Sequence, residues 1–385
     1  MKKLAVSALR IKNFKAIRDS GTLKLTPLTV FIGNNGSGKS SIIEALEALQ
    51  RIAVDGLDEA MNVWRGFEHV WNNSVGHKLV SGKGDKRWHS NPITFSLKGS
   101  SDRGAYRYAG GISIGEGANS LFIVEELLKL NSNRSINRDI DGNIVETLKQ
   151  PTSRQQLELG ESVLSKYLRK FVRNWQFVSL ITEQMTLPIP QHRTGTKVRL
   201  NKDGSNISEY LRYLRDEHRP SFNSMIQQIQ QIVSYATDIQ PELTPIIERT
   251  VYIQLTEGNY KIPSWMLSTG TLRLIALVAL LNNPDPPPLI AIEEIENGLD
   301  PRSIQLIASL LKSVALSGKT QLIVTTHSPY LLDLMNLEDI VLVERQNGIP
   351  VFRRPSDDQD IVKWGKDFYP GKLYTMGKFT QGLEL

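Results

Sequence analysis

The chain of 385 residues contains no cysteine. That excludes a disulfide framework, a thiolate metal site and a catalytic thiol. It also lacks an apolar run long enough to cross a bilayer, which takes about 20 residues. The longest, LRLIALVALL from Leu272 to Leu281, is interrupted by Arg273. The opening MKKLAVSALRIKNF has a basic pair but no continuous apolar segment and no cleavage site, so no secretory leader is expected. These absences point to a cytoplasmic protein with no membrane partner. Histidine is scarce, and His69, His77, His89, His192 and His218 show no metal-ligand spacing. No segment keeps a heptad pattern over several repeats, which argues against a long coiled coil. Neither sign of charge dominates, the excess being a small positive one: Lys and Arg number 46 against 40 Asp and Glu. Such a balance permits contact with nucleic acid without demanding it.

What is present is patterned. Alternation in ALRIKNF and TLKLTPLTVFIG predicts two strands of a hairpin-like start, the second running into a loop at Gly33. SSIIEALEALQRIAV has helical spacing, and NPITFSLKG and AYRYAGGISIG read as strands. Between about 118 and 245 the segments LFIVEELLKL, RQQLELGESVLSKYLRKFVRNW, ISEYLRYLRDEH and SFNSMIQQIQQIV read as helices, with SNRSINRDIDGN as a loop. From about 250, TVYIQLT, PLIAIEE, TQLIVTTH and DIVLVER are strand-like runs; the last three alternate with helical stretches, the pattern of a parallel α/β sheet. The expected organisation is a first lobe at 1–117, a mostly helical insertion at 118–245, a second lobe at 246–345 and a packed tail at 346–385, forming one discontinuous domain.

Three segments carry chemistry. GNNGSGKSS comprises Gly33, Asn34, Asn35, Gly36, Ser37, Gly38, Lys39, Ser40 and Ser41; it follows the apolar LTVFI and precedes a helix. It matches G-x-x-x-x-G-K-[ST] in the strand–loop–helix setting the motif requires. Backbone amides and a helix start then cradle phosphates, Lys39 reaches the β- and γ-phosphates, and the Ser40 hydroxyl is a ligand for Mg²⁺. The bland alternative is a glycine-rich turn. PLIAIEEIENGLDP ends an apolar strand in two carboxylates. Glu293 is placed to hold Mg²⁺ and Glu294 to orient and polarise the attacking water; a solvated acidic turn is the alternative. TTHSP puts His327 at a strand's carboxyl end, where it can sense a γ-phosphate or serve the fold alone. A fourth segment, LSTGT at 267–271, reads by itself as a helix N-cap.

GNNGSGKSS, LSTGT, IAIEEIENGLDP and TTHSP occur in the order of an ABC-type ATPase head, and with IKNFKAIRD the chain resembles the RecF, SMC and OLD branch, closest to stand-alone bacterial AAA ATPases. RLNKDGSNISEYLRYL and KLYTMGKFTQG are also similar to segments of that group. The resemblance implies an α/β ABC-type P-loop ATPase head, with a β-rich N-terminal lobe and a parallel α/β core, that uses ATP and Mg²⁺. It implies a homodimer or higher even-numbered homo-oligomer in which Ser268, Thr269 and Gly270 cap the ATP of a second subunit, with Asp300 as the D-loop residue. Thr269 and Thr271 stand where transporters have Gly and Gln, and Glu293 stands where most relatives have Asp. Gln184 is a weak candidate for the Q-loop, and Lys15 falls where relatives often place a nucleotide-contacting arginine.

The resemblance further implies a bacterial anti-phage defence setting, with a separate effector, a nuclease or toxin, under the ATPase's control. The alternatives are a RecF-like ATPase that binds double-stranded DNA in repair and a low-turnover scaffold that inhibits a toxin. Glu344, Asp358 and Asp360 resemble the carboxylates of a TOPRIM nuclease, but too little sequence follows for such a domain. The basic runs KLVSGKGDKRWH and SKYLRKFVRNW could meet phosphates, although the aromatics of the second have core spacing.

Overall fold

From Ala8 to Phe14 the chain buries Leu9, Ile11, Asn13 and Phe14 and turns the side chains between them outward. That alternation makes one face of a strand apolar and commits it to a half-solvated antiparallel sheet. The computed structural model describes residues 4–380 apart from 73, 75, 77, 82–86, 117–119, 132–133, 148–154, 158–159, 192–196 and 245–248. His77, His192 and part of the first basic run lie outside the described residues. Two compact units result: 1–175 with 338–362, and 176–337 with 363–385.

In the first unit an antiparallel sheet runs, in spatial order, Gln155–Gln156, Asn143–Thr147, Arg134–Arg138, Leu121–Leu130, Gly104–Ile114, Ile93–Ser101 and Ala8–Phe14. Ile17–Asp19 and Leu23–Lys24 both pair with Ala8–Phe14. The inner face carries Leu9, Phe95, Leu97, Tyr106, Leu128 and Ile136. The helices Lys39–Asp55 and Val163–Arg173 pack on each other and on this sheet, with the Tyr106 and Phe171 rings edge to face at 6.1 Å. As expected for the second basic run, Tyr167, Phe171 and Trp175 are core.

Two expectations need correction. The hairpin-like start is not a pairing of ALRIKNF with LTVFI. Leu28–Ile32 instead runs parallel to Ile340–Gln346, which turns back through Ile349–Arg353. Pro27, which has no N–H to give a ladder, separates the two halves of TLKLTPLTVFI. The stretch 118–245 is also not mostly helical: Leu121–Leu130, Arg134–Arg138 and Asn143–Thr147 are strands of the large sheet. Helices at Val163–Arg173, Ile207–Glu217 and Arg219–Ile232 occupy the later part.

In the second unit Gln176–Val178, Leu289–Ile292 and Gln321–Thr326 lie side by side, all parallel. The helix Thr269–Leu281 is buried at every position from Thr271 onward. Pro301–Ser317 begins on Asp300 and ends at Gly318 in left-handed backbone. A small antiparallel sheet of Ile189–Pro190, Thr250–Glu257, Asp238–Leu243 and Tyr260–Pro263 completes the unit. Among the described residues no helix is long and apolar enough to cross a membrane.

Candidate nucleotide site

The P-loop belongs to the first unit. Leu28–Ile32 is buried throughout and delivers the chain to Gly33. A Cβ at Gly33 would stand 2.0 Å from the Val343 carbonyl oxygen, so only glycine fits beside the Ile340–Gln346 strand. Gly38, at φ 110°, opens the Lys39–Asp55 helix in left-handed backbone that side chains resist. No side chain caps that helix, and its first turn holds no acid. Its leading amides are therefore open to an anion.

Lys39 is 5% exposed, with Nζ donating to the carbonyls of Gly33 at 2.7 Å and Asn34 at 2.9 Å. The Ser37 hydroxyl is buried with no hydrogen-bond partner. Asn34, Asn35 and Gly36 are exposed, Ser40 is half-buried and Ser41 is buried. A buried hydroxyl without a partner, a cation folded onto the loop and an uncapped helix start fit a phosphate chain. Lys15 donates to Glu44 at 2.5 Å, so its side chain is ion-paired. Arg345, which sequence reading did not single out, donates from Nε to the Gly36 carbonyl at 2.8 Å.

The carboxylates, the histidine and the signature belong to the second unit and are described within it. Glu293 follows Leu289–Ile292, and its N–H donates to the Val178 carbonyl. Glu294 is exposed and sits at φ 45°, left-handed backbone that costs a non-glycine residue about 1–3 kcal/mol. Side chains hold both of its peptide groups. Its N–H donates to Thr325 Oγ1 at 2.9 Å, and its carbonyl accepts from Arg273 Nη2 at 2.9 Å. His327 is half-buried, and its backbone N–H donates to Glu296 Oε1.

Arg273 is the residue that sequence reading passed over. It is 5% exposed, gives Nη1 to the Leu180 carbonyl at 2.9 Å, and leaves a buried Nε without a partner. Burial pulls its pKa down against the pull of Glu294 and Glu296. The one guanidinium thus ties the LSTGT helix to the strained backbone of Glu294. A lone Arg in LRLIALVALL was the visible signal, since a buried charge must find partners. Arg273→Met should lower kcat for ATP hydrolysis by up to about 100-fold, the cost of misplacing a reacting group by about 1 Å. ATP affinity should hardly change, and Arg273→Lys should fall between. Steady-state kinetics beside an ATP-binding titration separates the two.

Ser268 accepts from the Thr271 N–H at 3.1 Å, and its hydroxyl meets the Thr271 hydroxyl at 2.8 Å. The N-cap reading of LSTGT therefore holds within the chain, while Ser268 and Thr269 remain exposed. A Cβ at Gly270 would meet the Gly298 carbonyl oxygen at 2.5 Å, which brings this helix start against the turn before Asp300.

Asp300 caps Pro301–Ser317, accepting from the amides of Arg302 at 2.9 Å and Ser303 at 3.2 Å and from the Ser303 hydroxyl at 2.6 Å. Partial burial pushes its pKa up, but the Ser303 hydroxyl and the two amides outweigh this and hold it below the usual value. A depressed folded-state pKa gives stability that is present above the unfolded pKa and lost as pH falls through the folded one. Asp300→Ala should cost about 1 kcal/mol at neutral pH, as lost N-caps do. Its deficit in denaturant unfolding should shrink as pH falls below the ordinary carboxylate range.

The TOPRIM-like carboxylates do not assemble. Glu344 is half-buried in the Ile340–Gln346 strand, its pKa pushed up by that burial, and Asp358 and Asp360 are exposed. Asp358 accepts from the Asp360 amide at 2.9 Å, as an Asx turn does. Among the described residues no three His, Asp or Glu side chains are grouped to hold a metal ion.

Two family models match the chain. Residues 170–333 match the family described as "AAA domain, putative AbiEii toxin, Type IV TA system", and residues 5–141 match "AAA ATPase domain". The chain is similar to Endonuclease GajA of Bacillus cereus (strain HuB5-5), 26% identical over 230 residues. The similarity takes in 53% of this chain and 31% of that protein, so the chain spans about a third of this relative's length. Among solved structures, the SMC head domain from Thermotoga maritima superposes with a TM-score of 0.48 at 17% identity, covering 91% of this chain and 99% of that one. An SMC head bound to the C-terminal winged-helix domain of ScpA gives 0.48 at 15%, covering 90% and 96%. The two family matches, joined to the four motifs in their order, place the chain among the ABC-type AAA ATPases of the RecF, SMC and OLD branch.

Proposed function

We propose that this chain binds ATP with Mg²⁺ at GNNGSGKSS, hydrolyses it slowly, and thereby switches a homo-oligomer that controls a separate effector. The observation that carries the nucleotide part is the open helix start at Gly38, with Lys39 folded over the loop and the Ser37 hydroxyl left without a partner. Mg²⁺ supplies charge neutralisation on the phosphates, and the Ser40 hydroxyl and the Glu293 carboxylate are the donors for it. Glu294 orients the attacking water and takes its proton. His327, at the carboxyl end of Gln321–Thr326, senses the γ-phosphate. Ser268 and Thr269 stay exposed while Ser268 caps its own helix, so Ser268, Thr269 and Gly270 can meet the ATP of a second copy, with Asp300 beside them in the interface.

Effector control rests on two supports. One matched family is described by a toxin of a toxin–antitoxin system, and the curated relative is an endonuclease. An anti-phage role in a bacterial cytoplasm is the setting we favour on this basis. The test is the native mass of Glu294→Gln purified with ATP and Mg²⁺. An even-numbered assembly that falls apart without ATP, and that carries a nuclease or toxin, is expected. A monomer under both conditions would sink the shared-site reading, and an assembly holding only DNA would favour the RecF-like one.

A further inference from the structure

The parallel ladder between Leu289–Ile292 and Gln321–Thr326 ends at the pair Ile292 and Val324. Beyond it one chain becomes the turn that carries Glu294, and the other runs on to His327. Hydrogen bonds still join the two. The Glu294 N–H donates to Thr325 Oγ1 at 2.9 Å, and the Ile295 N–H donates to the Thr325 carbonyl at 3.2 Å. One further bond differs in kind. The His327 N–H donates to Glu296 Oε1 at 2.5 Å, a carboxylate oxygen in place of a ladder carbonyl. A hydrogen bond to a charged acceptor is roughly twice as strong as a neutral one. On its far side the His327 segment is held locally. Ser328 gives its N–H to Thr326 Oγ1 at 3.0 Å and caps the Leu331 N–H at 3.2 Å, and neither bond reaches the turn.

Glu296 rides on the same tight turn as Glu294. The Asn297 N–H closes that turn on the Glu294 carbonyl at 3.0 Å, the oxygen that also accepts from Arg273 Nη2. The Leu299 N–H closes the next one on the Glu296 carbonyl at 3.0 Å. Ile295, between the two glutamates, is fully buried and anchors the turn in the core. Glu296 itself is half-buried, and its Oε2 is buried with no hydrogen-bond partner. Arg273, whose Nε is likewise buried without a partner, feels its charge. Among the described residues the His327 N–H is the one donor to this carboxylate. Burying a carboxylate costs free energy unless bonds offset it. One that makes a single bond, to the peptide of His327, points to a role beyond stability.

We infer that Glu296 is a positioning residue: it holds the His327 peptide to the turn of Glu294, so that the γ-phosphate sensor and the group that orients water keep one spacing. Glu296 acts through His327 and touches neither phosphate nor water. A shift of about 1 Å at a reacting group costs up to about 100-fold in rate, so a fixed spacing between the two has a direct effect on turnover. The inference deepens the proposed function and rests on the roles given there to Glu294 and His327.

The experiment is a double-mutant cycle on ATP hydrolysis by the full chain: wild type, Glu296→Ala, His327→Ala and the double variant, each with its ATP affinity titrated. Glu296→Ala should lower kcat by about 10- to 100-fold with ATP affinity nearly unchanged. In the His327→Ala background the same change should cost less than about threefold, because residues that act as a unit lose little more when the second one goes. Glu296→Gln keeps an oxygen for the His327 N–H and should fall between wild type and Glu296→Ala; it carries the cycle if the alanine variant does not fold. Asn297→Ala, exposed on the same turn, should match the wild type. Hydrogen exchange of peptides covering 325–331, measured without nucleotide, should be faster in Glu296→Ala, a readout that does not depend on catalysis. Equal losses in the two backgrounds, a wild-type kcat in Glu296→Ala, or unchanged exchange would overturn the inference and leave the sensor role standing. His327→Ala that hydrolyses at the wild-type rate would instead remove the sensor role, and the inference with it.

Discussion

Glu294→Gln is expected to bind ATP as the wild type does and to hydrolyse it about 100- to 10,000-fold more slowly, the range a positioned general base supplies. The change keeps the length and shape of the side chain and removes only its charge and basicity. It leaves the backbone alone, where Thr325 and Arg273 hold Glu294 at φ 45°. The loss should therefore fall on kcat, with binding and folding intact. ATP that stays bound should lock the assembly closed, and the native mass of the variant would show this. Single-turnover hydrolysis is the direct measurement. A wild-type rate would pass the role of base to another group, with Glu293 and Glu296 the nearest carboxylates in sequence. It would not touch the phosphate-binding loop, which belongs to the other unit.

The split between what the sequence displayed and what it hid follows from how each signal is made. GNNGSGKSS is legible because its constraints are local: a loop that must curl tightly needs glycine at fixed offsets, and Gly33 and Gly38 stand at those offsets. The parallel strands Leu289–Ile292 and Gln321–Thr326 are buried on both faces, and so read as unbroken apolar runs. The roles of Glu294 and Arg273 are less visible. Each depends on contacts between segments 21 to 93 residues apart, such as Arg273 with Glu294 and Arg273 with Leu180.

LFIVEELLKL shows why a strand passed for a helix. Its buried positions are Ile123, then Glu126, Leu128 and Leu130. A register shift opposite, between Gly111 and Ile112, changes which alternate residues face inward, so no single period of two runs through the segment. The inward Glu126 adds to the disguise. Burial pushes its pKa up, against the Ser162 hydroxyl, the Val163 amide, Tyr108 and Arg138 gathered round it. Arg138, likewise inward, made RSINR look like a polar loop. A charged residue facing the core is read from sequence as facing water, and only the fold supplies its partner.

Lys39→Ala should weaken ATP binding by about 100- to 10,000-fold. Two charge-assisted hydrogen bonds to phosphate oxygens, each worth about 1.5–3 kcal/mol, give that range at 1.4 kcal/mol per tenfold. The unliganded geometry bears on the size of the effect. The residue is only 5% exposed and its ammonium is already held by the carbonyls of Gly33 and Asn34, so its side chain is largely ordered before any phosphate arrives. Little entropy is then lost on binding, and the interaction reaches the nucleotide nearly whole. The same bonds make a control necessary, because alanine leaves those two carbonyls to water and removes a contact within the loop itself. Thermal unfolding of the unliganded variant measures that separate cost, and Asn35→Ala, at an exposed loop position, shows what a neutral change in the loop does. A variant that folds as the wild type does and binds ATP equally well would remove the phosphate role from Lys39, and with it the chemical basis for reading GNNGSGKSS as a nucleotide cradle.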